Sequence, residues 1–382
     1  MNIRHTIPGV VLAAAGLIAA GAAQAHHGTG LFEVDKDVEY SGTLTEMELV
    51  NPHSYMHFEV AGPDGQPFAM RCEMRAAMLI RRSGWSAEMF VPGAHVQIKG
   101  HPHRTDPHAC YLESFTLNEA EEIGRNDQLS STNGPVNNSD RPLRLASGEP
   151  NISGDWAVEQ AVLTAPPGGG RGDMIPRSQM EAYSAGKITL AEIRAINPTP
   201  RPVYTEAGKA AADKFEMWSV KDNPRLSCMP TSVIYDWTFD WPVNRITQTT
   251  SQSGEKVIIL DYGLYTFTRT VHMDMDGHPA DLEPSQFGHS IGKWEGDTLV
   301  VDSIGFEAGV LSPPTLSSEQ LHIVERFTLD PKTMSIHREY SAVDPVYLAG
   351  PYEGADTVFI SETPFMMEGC KEMTPEFMNQ AQ

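Results

Sequence analysis

Histidine is where the chemistry of this chain concentrates. Eight of its 14 histidines fall between positions 26 and 110: His26, His27, His53, His57, His95, His101, His103 and His108. Neutral imidazole is the commonest metal ligand and suits Cu, Zn and Ni. What His26 and His27 can do depends on the residues before them. Arg4 is a positive start, Val10–Ala23 is an apolar run too short for a membrane span of ~20 residues, and "AQA" (Ala23–Ala25) has the small-x-small form of a signal-peptidase site. Residues 1–25 therefore read as a cleaved secretory signal, which makes His26 the mature N-terminus. Its α-amine, titrating near ~8, and its imidazole Nδ1 could chelate one ion together. A third nitrogen from His27 or His53 would complete a planar site that favours Cu(II). If "HSYMH" is extended, His53 and His57 point to one face and both reach the ion. His26, His27, His53 and His57 are thus the candidate metal ligands, with copper the candidate cofactor. The bland alternative is a doubled histidine that merely suits export. His101, His103 and His108 read as a solvated loop, and His95, alternating with Val96 and Ile98, as the polar face of a strand.

A second constellation surrounds "FGHSIGKWEGDTLVVDSIGF", where His289 stands between Gly288 and Gly292. His289 is the candidate general acid or base, and Arg269, Glu325 and Arg326 are candidate catalytic partners, with Glu325 or Asp302 available to set its tautomer. "LHIVERF" offers two alternating faces, His322/Val324/Arg326 or Ile323/Glu325/Phe327. Whichever points into a barrel buries charge, which is expensive unless the charge is paired. The competing reading is a structural hydrogen-bond network beneath a turn. Gly288-His289-Ser290-Ile291-Gly292 has the Gly-x-Ser-x-Gly spacing but is weak evidence for a hydrolase, since Ser290 and His289 are adjacent and adjacent strand residues point apart. The chain has no P-loop, Gly-x-Gly-x-x-Gly or His-Glu-x-x-His motif.

The elements that must hold these residues are mostly short strands. Residues 38–120 alternate in five strands around one helix at "AAMLIRRSG", with Asp64-Gly65 and Pro92-Gly93 as turns. This predicts a small OB-like barrel over residues 26–120. Residues 121–151 are polar, aperiodic and rich in Ser, Asn, Pro and Gly, and read as a linker. Two helices follow, one capped by Thr189 and one by Thr205. From about 232 onward, strand follows strand to "TVFISETPF", which predicts an antiparallel, lipocalin-like barrel over residues 152–375. The expected class is mainly β, with a few helices.

Composition narrows the partners. A net charge of -22 repels nucleic acid, and no basic cluster offsets it. No second hydrophobic stretch reaches membrane length, so no integral membrane segment is expected after cleavage. Four cysteines without a C-x-x-C pair suit disulfides in an exported chain, most simply Cys72–Cys110 and Cys228–Cys370, although four cysteines allow three connectivities.

Several motifs are familiar. "AHHGTGLF", "GTLTEMELVNPHSYMHFEV", "LIRRSGW" and "PGAHVQIKGHPHR" resemble an uncharacterised bacterial exported domain that begins with His-His and carries Asn-Pro-His. "GHSIGKWEGDTLVVDSIGF", "VERF" and "VDPVY" resemble a second uncharacterised segment of secreted bacterial proteins, here with Lys293 in place of Arg and an added Met-Asp before the turn at Asp276-Gly277. The amine-plus-imidazole arrangement at His26 resembles the histidine brace of exported copper proteins. These resemblances imply architecture and a periplasmic or secreted location, and no activity. The leading expectation is an exported protein that binds copper through its N-terminus and an apolar or aromatic small molecule in the second barrel. One alternative is a periplasmic enzyme of isomerase or hydrolase type working through His289. Another is a non-catalytic component of an envelope complex.

Overall fold

The structure is a computed structural model, described over residues 31–371 except 63–64, 130–140, 165–172, 197, 199, 266 and 368. The expected signal sequence, His26, His27 and Asp64 lie outside these residues. Two β-barrels account for most of the rest.

In the first barrel, β1 (Val38–Glu48), β2 (Tyr55–Ala61), β3 (Pro67–Glu73), β4 (His95–Pro102) and β5 (Ala109–Leu117) form a ring, and β6 (Ile123–Gly124) adds to its rim. Neighbours are antiparallel except β3 and β5, which close the ring in parallel through Arg71↔Ala109, Cys72↔Cys110 and Glu73↔Tyr111. Strand alternation sends Met56, Phe58 and Val60 inward from β2, and Val96 and Ile98 from β4. They pack with Ile80 of α1 (Ala77–Arg82), Trp85 and Phe115. The Cys72–Cys110 disulfide locks the parallel seam.

The segment expected as a linker is partly built into the barrels. Asp127 accepts a hydrogen bond from Trp85 Nε1 through its carbonyl oxygen, and Leu129 N donates to Ser83 O, both in the first barrel. Arg141 donates to Asn151 O beside the second.

The second barrel opens with β7 (Gly154–Ala157). A hairpin of β8 (Ala161–Thr164) and β9 (Asp173–Pro176) and three short helices follow: α2 (Met180–Ser184), α3 (Leu190–Ile196) and α4 (Glu206–Ala212). The two expected caps are present. Thr189 and Glu192 cap each other reciprocally, and Thr205 Oγ1 accepts from Gly208 N at 3.0 Å. The ring then runs through β10 (Val243–Thr250), β11 (Lys256–Tyr262), β12 (Phe267–Met273), β13 (His289–Glu295) and β14 (Thr298–Ile304). After a small hairpin of β15 (Gly309–Ser312) and β16 (Thr315–Ser317) it continues through β17 (His322–Asp330), β18 (Ser335–Val343) and β19 (Tyr352–Ile360), and β7 closes it between β19 and β10. All pairs are antiparallel except β12–β13, which departs from a purely antiparallel ring. Parallel neighbours need a crossover connection. Here it is the stretch from Asp274 to Gly288, and it carries His278 across the outside of the barrel.

The barrels are tied at their ends. Cys228 of the second barrel bonds Cys370, whose neighbours pair with Asn51 of the first, and Lys371 Nζ reaches Glu48 at 3.0 Å. No helix among the described residues is long and apolar enough to cross a membrane.

Candidate functional site

Alternation along β12, β13, β14 and β17 sorts the side chains into two sets. Arg269, Ser290, Ser303 and Glu325 point inward, whereas His272, His289, Asp302 and His322 sit on the outer face.

The inner set is a closed charge network. Arg269 Nη1 donates to Glu325 Oε2 at 2.5 Å, and its other nitrogens donate to Ser290 Oγ and Ser303 Oγ at 2.8 and 2.7 Å. Glu325 Oε1 accepts from Arg338 at 3.1 Å, and Arg338 also donates to Asp356 and to the carbonyls of Val233 and Ile234. Arg269, Glu325 and Arg338 are 2%, 0% and 0% exposed, so the inside of this barrel is packed around them rather than open. Burial would lower both guanidinium pKa values, but the Glu325 charge raises that of Arg269, and Asp356 with Glu325 raises that of Arg338. Burial pushes the neighbouring Tyr262 hydroxyl up to about 12.

The outer set forms a chain of hydrogen bonds. His289 Nδ1 lies 2.8 Å from His278 Nδ1, and His278 Nε2 lies 3.1 Å from Asp302 Oδ1. The same carboxylate oxygen meets His322 Nε2 at 3.0 Å. His272 stacks on His289 with ring centroids 4.9 Å apart and planes 5° from parallel, and its own Nδ1 meets Glu255 at 2.8 Å. One proton assignment satisfies every contact with neutral rings. His278 and His322 each donate from Nε2 to Asp302, and His289 donates from Nδ1 to His278 Nδ1. The Nε2 lone pair of His289 is then left as a base. Burial, with His272 and His278 alongside, holds the His289 imidazole below the usual histidine range. Gly288 makes the turn into β13 at φ +64°, and a Cβ there would lie 2.7 Å from Ile304 O and 2.9 Å from the Phe306 ring.

The four candidate catalytic residues therefore do not converge. His289 lies outside, Arg269 and Glu325 are paired inside, and Arg326 lies outside against Glu295 at 3.1 Å. Adjacent strand residues point apart, which separates Glu325 from Arg326. Asp302 joins His289 through His278, which sequence reasoning missed. His278 sits in a turn, where no periodicity marks it, and only the parallel β12–β13 pairing explains its place.

Of the candidate metal ligands, the two that are described, His53 and His57, lie apart. His53 precedes β2 instead of lying on it, so it does not share a strand face with His57. His53 Nδ1 lies 2.8 Å from Glu73 Oε1, and His57 Nε2 lies 3.1 Å from Glu48 Oε2. Burial would lower the His53 pKa, but the Glu73 charge and hydrogen bond raise it overall. His101 is on β4 rather than in a loop, with Nδ1 3.0 Å from Lys36 O. His95 is on the exposed face as expected, 3.0 Å from Ser41 Oγ. Among the described residues, the group that brings three donor atoms within 4.8 Å of one another is Asp37, His101 and Glu113.

Comparisons with known proteins cover one part of the chain. No curated protein and no solved structure matches it. Residues 15–110, which take in most of the first barrel, match the model of a family described as a family of unknown function (DUF6152).

Proposed function

We propose that this is an exported protein whose working centre is the histidine relay on the outside of the second barrel, and that the relay moves protons on a small molecule. The observation that carries this is the His289–His278–Asp302 chain, with contacts of 2.8 and 3.1 Å. His289 Nε2 takes a proton from the substrate. The positive charge that results is shared through His278 with the Asp302 carboxylate, so the carboxylate fixes the tautomer and stabilises the charged form. A metal is the weaker reading here, because these side chains are not among the described groups with three donors inside 4.8 Å. Export is supported by two disulfides, which persist in oxidising compartments. The test is hydrolysis of p-nitrophenyl acetate, which a neutral imidazole can promote, followed against pH. The rate should rise with an inflection below ~6.5. It should be lost in His289→Ala and reduced in Asp302→Asn. Equal rates in wild type and His289→Ala would sink the proposal.

A second reading, copper at the mature N-terminus, is favoured by one observation. The described chain begins at Leu31, which lines a small cavity with Tyr55, Glu73 and His103. Glu73 also holds His53. A site shared by His26 and His53 requires the five-residue stretch from His26 to Leu31, at most ~18 Å long when extended, to span the gap to His53. Cu(II) titration with EPR on protein beginning at His26, against a control with one extra Gly, tests it. Equal binding in both forms would exclude the N-terminal amine. The five-strand ring with its inserted helix supports an OB-like reading of the first barrel.

A further inference from the structure

Another opening lies away from the relay. A cleft of about 1070 Å³ runs between the two barrels, and neither His289 nor its partners line it. Arg81 and Arg82 come from α1 of the first barrel, and Arg177 from the second. Half-buried Leu129, Val158 and Phe359 supply apolar wall.

The charges of Arg82 and Arg177 meet no carboxylate partner among the described residues. Arg82 is 8% exposed and bridges the barrels by donating to Trp241 O at 3.0 Å and to Val158 O at 2.5 Å. Both acceptors are backbone carbonyls, which carry no net charge. The Arg177 side chain is exposed and has no partner among the described residues. The two guanidiniums feel each other: burial first, and then Arg177, pull the Arg82 pKa down to about 10. Two acids also line the cleft. Glu159 is engaged by Ser178, whose N and Oγ donate to it at 2.5 and 3.0 Å, and Glu362 is exposed. In a chain of net charge -22, two arginines, Arg82 and Arg177, that meet no carboxylate among the described residues mark a place where an anion is welcome.

We infer that the inter-barrel cleft binds an amphipathic organic anion, its carboxylate or sulfonate facing Arg177 and Arg82 and its apolar body lying against Leu129, Val158 and Phe359. The guanidinium fork matches a planar carboxylate, and domain interfaces are favoured places for small-molecule sites. This inference is independent of the histidine relay, because its readout is binding and not proton transfer.

The test is a fluorescence titration of the full processed chain with 8-anilinonaphthalene-1-sulfonate at low salt. N-phenyl-1-naphthylamine serves as the uncharged counterpart. The sulfonate should bind saturably at one site, and the neutral probe at least about tenfold more weakly, as expected for loss of one charge-assisted contact. Arg177→Gln should weaken the sulfonate by about tenfold and Arg177→Glu by more, with unchanged thermal midpoints, while Arg177→Lys retains part of the affinity. Equal binding of both probes would mean a generic apolar surface and would overturn the inference. So would an unchanged affinity in Arg177→Glu, or no saturation by ~1 mM, where binding free energy is only about -4 kcal/mol.

Discussion

Replacing Glu325 with Gln isolates the contribution of the buried charge network. The two carboxylate oxygens serve different arginines, Oε2 accepting from Arg269 at 2.5 Å and Oε1 from Arg338 at 3.1 Å. An amide has only one acceptor oxygen, so one guanidinium must face an NH₂ group. Arg338 tolerates this better, because it keeps Asp356 and two backbone carbonyls. Arg269 would be left with neutral partners alone, the hydroxyls of Ser290, Ser303 and Tyr262, at 2% exposure. Removing one partner of a buried pair costs about 3–5 kcal/mol, because the other charge remains buried without its counter-ion. For a barrel of this size that is a fall in thermal midpoint of about 6–20 °C. Urea unfolding read by tryptophan fluorescence should report it, since Trp156 and Trp237 are buried in this barrel. The two barrels can unfold separately, so the transitions are fitted individually. Adding Arg269→Met to Glu325→Gln removes the stranded charge and should restore at least half of the loss. A loss below about 1 kcal/mol in the single variant would refute the reasoning. So would a double variant as unstable as the single.

Other consequences follow from single residues. Cys228→Ser opens a loop spanning a sequence separation of 142 residues; on loop-entropy grounds the loss is about 5 kcal/mol, seen as a lower thermal midpoint that dithiothreitol no longer shifts at this bridge. Burial pushes the Asp236 carboxyl up to about 7. A group whose pKa is raised on folding stabilises the fold below its unfolded value of ~3.9, and that stability is lost as pH rises through the folded value. Asp236→Asn should therefore gain on wild type between pH 5 and pH 8 in thermal melts, and parallel curves would contradict the shift. His289 has the opposite sign of slope. Its lowered pKa means that stability falls as pH drops below ~6.5, and His289→Gln should flatten that part of the profile. A Cβ at Gly292 would lie 2.6 Å from Val271 Cγ1 and 2.7 Å from Met273 Sδ. Gly292→Ala should therefore cost about 1–3 kcal/mol by overpacking, and unchanged unfolding would show that the barrel yields there.

Strand alternation and turn residues were enough to read most of the architecture from the amino-acid order. "KVIILDY" and "TLVVDSI" became β11 and β14, Thr189 and Thr205 became caps, and the cysteines paired in the simplest way. These are local signals, or follow from small numbers of possibilities. The choice between the two faces of "LHIVERF" was not local. Glu325 went inside because Arg269, 56 residues away, and Arg338, on the next strand, were there to meet it at 2.5 and 3.1 Å. His53 and His57 did not share a face, because β2 begins only at Tyr55, after the turn at Asn51-Pro52.

Sequence alone marked His289 as a residue with the means for acid–base chemistry, since its type and its flanking glycines are visible in the chain. The partners of that residue were decided by tertiary structure. His278 stands 11 positions from His289 in a turn without periodicity, and Asp302 and His322 stand on other strands. They meet because the parallel pairing of β12 with β13 forces a crossover over the outer face, where β13, β14 and β17 lie side by side. Periodicity reports which way a side chain points along its own strand. It does not report which strand becomes the neighbour, and that choice places the relay on the outside of a barrel whose inside is filled.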